Sequence, residues 1–177
     1  MPSTYTLISS NVLASSAASV TFSAIPSTYT DLVVRASVRS DQTNPDLMWR
    51  INNNTSSIYS DTQLNTSWNG SSYVAQSVRD NAIDKFRIQY IGQESDSTAN
   101  TFSNYEWYFP NYTVAQNRVV SFFGVDESNT ASAAEPVIAI GASLALTTTA
   151  ISEISFFLNS GNYVSGSSFY LYGIKNS

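Results

Sequence analysis

The chain has 177 residues, of which 42% are hydrophobic, 13% aromatic and only 12% charged, with a net charge of −5. Its eight Lys and Arg are scattered and never form a run, which argues against the clustered basic surface that nucleic acid or anionic lipid requires. Cysteine and histidine are both absent, so disulfide and thiolate chemistry are excluded, along with the commonest metal ligand and the commonest general base.

Residues 1 to 19, MPSTYTLISSNVLASSAAS, lack the basic start and long apolar stretch of a signal peptide. They are Ser/Ala-rich after Leu7 and Ile8, and read as an edge strand or as an extended arm reaching a neighbour. VTFSAI follows, alternating Val20, Phe22 and Ala24. DLVVRASVR puts Leu32, Val34, Ala36 and Val38 on one face and Arg35, Ser37 and Arg39 on the other, the period of a half-buried strand. LMWRIN predicts a strand ending in the turn-like NNNTSS. Residues 46 to 82 are loosely patterned; NTSWNGSS reads as a loop, and YVAQSVRDNAIDKF from Tyr73 as one short helical turn.

Downstream, KFRIQYIG alternates Phe86, Ile88 and Tyr90, and YEWYFP ends at Pro110, which cannot donate to a ladder. RVVSFFGVDES, AEPVIAIGAS, ISEISFFLN and SSFYLYGIK complete the strands. The longest nearly apolar run, VIAIGASLAL, is too short for a membrane span. Ser, Asn, Asp, Gly and Pro clusters separate the segments and favour turns. The expected architecture is all-β: an antiparallel, jelly-roll-like β-sandwich of about eight to ten strands, forming one domain over residues 1–177. The five Asn-x-Ser/Thr sequons, at Asn53, Asn54, Asn65, Asn69 and Asn111, follow from composition and are expected in surface loops.

No catalytic constellation emerges. Serines abound, but there is no histidine to activate one and no G-x-S-x-G; SGSS at Ser165 has the wrong spacing. Most acidic residues, Asp61 among them, are expected in loops, and Glu106 reads as an outward-facing strand residue. The DE at Asp126 and Glu127 and the ESD at Glu94 to Asp96 follow no calcium-loop pattern. No cofactor or metal is expected. Aromatics are the best material for binding. Trp49 and Trp107 are expected in the core, whereas Trp68 and Tyr73 flank a polar turn and suit stacking on a sugar ring or a protein partner.

The opening SSAASVTFSAIPSTYTDLVV, the middle NTFSNYEWYFPNYTVAQNRVVSFFGVDES and the close SGSSFYLYGIK resemble short virion proteins of tailed bacteriophages, over the whole chain. The resemblance implies a non-enzymatic β module of the virion, on the outer surface of the capsid as a decoration or cement protein. Its implied partners are the major capsid protein and other virion subunits, and further copies of itself, with a trimer as the expected homo-oligomer. The alternative location is the tail or a fibre, with host glycan as ligand. Both faces of FYLYGI are apolar or aromatic, so Tyr170 and Tyr172 are expected at a subunit contact while Phe169 and Leu171 enter the core.

Overall fold

The structure, a computed structural model, describes residues 4–43, 45–68, 71–89, 95, 97–126 and 137–175, and all their side chains except those of Ser67, Trp68, Tyr73 and Val137. Twelve strands run through these residues: β1 (Tyr5–Val12), β2 (Ser19–Phe22), β3 (Asp31–Val38), β4 (Leu47–Ile51), β5 (Tyr59–Trp68), β6 (Tyr73–Ile83), β7 (Phe86–Ile88), β8 (Ser103–Phe109), β9 (Arg118–Asp126), β10 (Val137–Ala145), β11 (Ile154–Leu158) and β12 (Ser168–Ile174). They form two antiparallel sheets, a large one in the order β1-β12-β3-β8-β9-β10-β5-β6 and a small one in the order β2-β11-β4-β7.

Without β5, β6, β9 and β10, the order is β1-β12-β3-β8 over β2-β11-β4-β7. Successive strands then alternate between the sheets except at β4 and β7, which follow one another as neighbours in the small sheet, and this is the winding of a jelly roll. The hairpin β5–β6 and the pair β9–β10 widen the large sheet only. β12 lies inside that sheet, bonded to β1 on one side and β3 on the other.

The apolar alternation explains the layers. Val34, Trp107, Phe122, Phe169 and Leu171 point inward from the large sheet, and Trp49, Phe86, Ile88, Ile154 and Phe156 point inward from the small one. Across the gap Trp49 meets Trp107 edge to face at 5.8 Å between centroids, and Trp107 meets Phe156 at 4.7 Å. Such pairs add to the area they bury. Two glycines make room for rings from neighbouring strands. A Cβ at Gly124 would lie 2.2 Å from the Tyr105 ring, and one at Gly141 2.3 Å from Phe122 and 2.7 Å from the Thr62 carbonyl.

Several sequence expectations need correction. Residues 73–83 are strand, not helix, because β6 pairs along its length with β5. NTSWNGSS is strand as far as Trp68. Within it Asn65 is 3% exposed, so that sequon is not in a surface loop; Asn69 lies outside the described residues. Asp61 is buried on β5, not in a loop. β2 stops at Phe22, and exposed Ala24 turns the chain at φ 52°, so it does not continue that strand's face. The N-terminal segment is no free arm: β1 is hydrogen-bonded to β12, and Ala17 bridges Tyr163.

Candidate functional site

Alternation along eight strands gives the large sheet an outer face away from the core. Cross-strand register places Tyr170, Arg35, Glu106, Phe123, Ile140 and Leu64 in one row across β12, β3, β8, β9, β10 and β5. The last three are about half exposed, at 50%, 53% and 56%. Exposed Val119 and Ile138 lie on the same face. Directly opposed residues in a sheet sit about 5 Å apart, so these side chains form a contiguous apolar patch, bounded on one side by a single ion pair.

That ion pair joins Arg35 Nε to Glu106 at 2.7 Å. The hydrogen bond to Glu106 and its charge raise the Arg35 pKa; both groups are solvent-exposed, so the pair fixes geometry more than it stabilises. Beside it lies a groove of about 320 Å³, floored by Ser37, Asn104 and Ser168 and walled by Tyr170 and Phe123. Tyr108, farther along, donates to Asp31 at 2.7 Å, and this bond to a carboxylate pushes its phenol up to about 12. The Asn111 N–H donates to the other Asp31 oxygen at 2.8 Å, tying off the end of β8. The face therefore offers apolar area and neutral hydrogen-bonding groups with little charge.

Tyr170 and Tyr172 lie on this face and are half-buried within the chain itself, between β3 and β1. Tyr172 also meets the Tyr5 ring edge to face at 6.4 Å. Trp68 and Tyr73 are opposed in register at the tip of the β5–β6 hairpin, and their side chains lie outside the described residues. Glu106 points outward, as alternation predicts. Trp49 and Trp107 are core residues with no exposure. Ser165 donates to the carbonyls of Leu13 and Ala14, a structural tie between the C-terminal loop and the N-terminal segment. Asp126 is buried and accepts from Ser103 at 3.1 Å, while Glu127, Glu94 and Asp96 lie outside the described residues. Among the described residues, no group of three or more His, Cys, Asp or Glu is placed to hold a metal ion.

A second polar arrangement escaped sequence reasoning. β7 is the outer edge of the small sheet, and the inward side chains of β5 take the place of a neighbouring strand. Asp61 accepts from the Arg87 N–H at 2.8 Å; Gln63 donates to the Arg87 carbonyl and accepts from the Gln89 N–H, each at 3.4 Å. The two-residue spacing on β5 matches the two-residue spacing on β7, so side chains satisfy backbone groups that burial would otherwise leave unpaired. Ser143 on β10 donates to the second Asp61 oxygen, and the Arg87 guanidinium bridges Asp80 at 2.8 Å and Asp46 at 3.4 Å. The signal in the sequence was the i, i+2 spacing of Asp61, Gln63 and Asn65.

No protein-family model matches the chain, and no curated protein matches it.

Proposed function

We propose that the protein is a non-catalytic structural component of a tailed-phage virion, a decoration module on the capsid exterior that docks through the outer face of its large sheet. The observation that carries this reading is the contiguous row Phe123, Ile140 and Leu64, half exposed on a face whose central charges are already paired. An apolar patch bordered by polar residues marks a docking surface. The net charge of −5 disfavours contact with packaged DNA and suits a place on the outer shell. Viral capsid domains use the jelly roll, but so do lectins and cupins, so the fold supports the reading without selecting it. The resemblance of the two chain ends to phage virion proteins is what favours a virion over those alternatives. In this role the module spans neighbouring capsid subunits and raises the barrier to rupture under internal pressure.

The test is particle stability. Virions lacking the protein should break at lower temperature and under milder osmotic shock than complete ones. Added-back protein should restore resistance, and a Phe123→Asp/Ile140→Asp variant should not. Equal survival of both particle types overturns the cement role. Labelled protein confined to the tail, with glycan binding lost in Trp68→Ala, would move the reading to an adhesion module centred on the β5–β6 hairpin tip.

A further inference from the structure

β1 forms one edge of the large sheet, and among the described residues no strand pairs with its free side. A bare edge is a template for another strand, and proteins usually blunt it with charge, proline or short length. The opposite edge is blunted: β6 carries Arg79 and Asp80. β1 is eight residues long, has no charged residue, and is exposed at every position but Ile8. Three of its side chains, Tyr5, Leu7 and Val12, are large, apolar and about half exposed.

The bulge in β1 indicates the occupant. Register against β12 shifts between Leu7 and Ser9, leaving Ile8 as the extra residue. In a regular strand Tyr5 and Val12, seven positions apart, would point to opposite faces. The bulge restores parity: Tyr5 and Leu7 before it, and Ser10 and Val12 after it, all share the outer face. An antiparallel strand must set like faces opposite one another. β1 meets that requirement with itself. When a second β1 runs antiparallel about a two-fold axis between Ile8 and Ser9, Tyr5 falls opposite Val12 of the second copy, Thr6 opposite Asn11, and Leu7 opposite Ser10. Every one of these pairs is face-matched, and the apolar pair Tyr5–Val12 occurs twice. This is the self-complementarity that a two-fold interface demands.

We propose that β1 pairs with β1 of a second copy of this chain in this register, making one continuous sheet of two large sheets. The proposal does not depend on where the protein sits in a virion, and it replaces the expected three-fold with a two-fold. One strand-to-strand contact buries less than the roughly 800 Å² per partner of a standard interface, so the dimer forms reversibly with concentration.

Sedimentation velocity on the full chain over a concentration series should show a monomer–dimer equilibrium, with deuterium exchange of the β1 amides slowing as the dimer fills. A Tyr5→Lys/Val12→Lys variant sets like charges opposite each other at both ends and should raise the dimer dissociation constant roughly tenfold or more. A Tyr5→Lys/Val12→Glu variant sets opposite charges there and should dimerise like the native chain. Both variants lose the same Tyr172 contact at an exposed edge, so their difference reports pairing and not folding. A native chain that stays monomeric or forms trimers overturns the proposal. So does equal association of the two variants, or β1 exchange that ignores concentration.

Discussion

The carboxyl of Asp61 on β5 accepts a hydrogen bond from the backbone N–H of Arg87 on β7, 2.8 Å away, and so fastens the wide sheet to the edge of the narrow one. Burial is the main influence on this carboxyl and pushes its pKa up to about 7, with the Asp80 charge adding to the rise. The Ser143 hydroxyl, the Arg87 N–H and the Arg87 guanidinium oppose it. Unfolded, the group titrates near 3.8. Between those values the folded state holds a proton that the unfolded state has released, so stability falls as pH rises through the window. The lowered carboxyls Asp41 and Asp84 are half-buried and act with the opposite sign only below the ordinary carboxylate range. With no histidine in the chain, Asp61 should dominate between pH 5 and 8. The melting temperature should be higher at pH 5 than at pH 8, by an amount corresponding to roughly 1–4 kcal/mol. Asp61→Asn keeps the acceptor and should abolish the slope.

Arg118 is buried at 2% exposure, and its guanidinium donates to the carbonyls of Thr149, Thr148 and Asn111 at 2.8–3.1 Å. It pins the β10–β11 loop to the β8–β9 loop. Burial lowers its pKa, but a guanidinium keeps its charge. Arg118→Lys cannot reproduce the fork and should destabilise by about 1–3 kcal/mol in urea unfolding, with an unchanged denaturant slope.

Trp49 packs against Phe86, Trp107 and Phe122 with centroids 5.1–5.8 Å apart. Trp49→Ala should cost about 3–5 kcal/mol. Its indole N–H is buried without a hydrogen-bond partner among the described residues. Trp49→Phe therefore sacrifices volume but no bond, and calorimetry should find it less than half as damaging as the alanine variant.

At Gly141 an added Cβ meets the Thr62 carbonyl, which belongs to the backbone of the paired strand and cannot swing aside. Gly141→Ala should destabilise by about 1–3 kcal/mol. The substitution Ala142→Ser, one position along on the outer face, should leave the melting temperature unchanged.

Much of this architecture is legible in the order of the amino acids. β3, β8, β9 and β12 announce themselves because their inward residues, such as Val34, Trp107, Phe122 and Leu171, are apolar and recur at every second position. β5 does not, because its inward residues are Asp61, Gln63 and Asn65 while Leu64 faces out. Its polarity is inverted, since it faces a backbone edge that needs hydrogen bonds. β6 is an edge strand with neither face deeply buried, so its valines fit a helix as well as a strand. The apolar row on the outer face was hidden for a different reason. Phe123, Ile140 and Leu64 come from three separate segments, and only cross-strand register brings them together.

The position of β12 carries a kinetic consequence. It follows every other strand of the fold in the chain, yet it is the strip that joins β1 to β3. During synthesis β1 waits without this neighbour until β12 has emerged, so their pairing forms after the ten strands between them have been made. Topologies with such distant pairings fold slowly, in roughly milliseconds to seconds. Until that closure, the uncharged first strand is open to other nascent chains, and crowded expression favours assembly between molecules over closure within one.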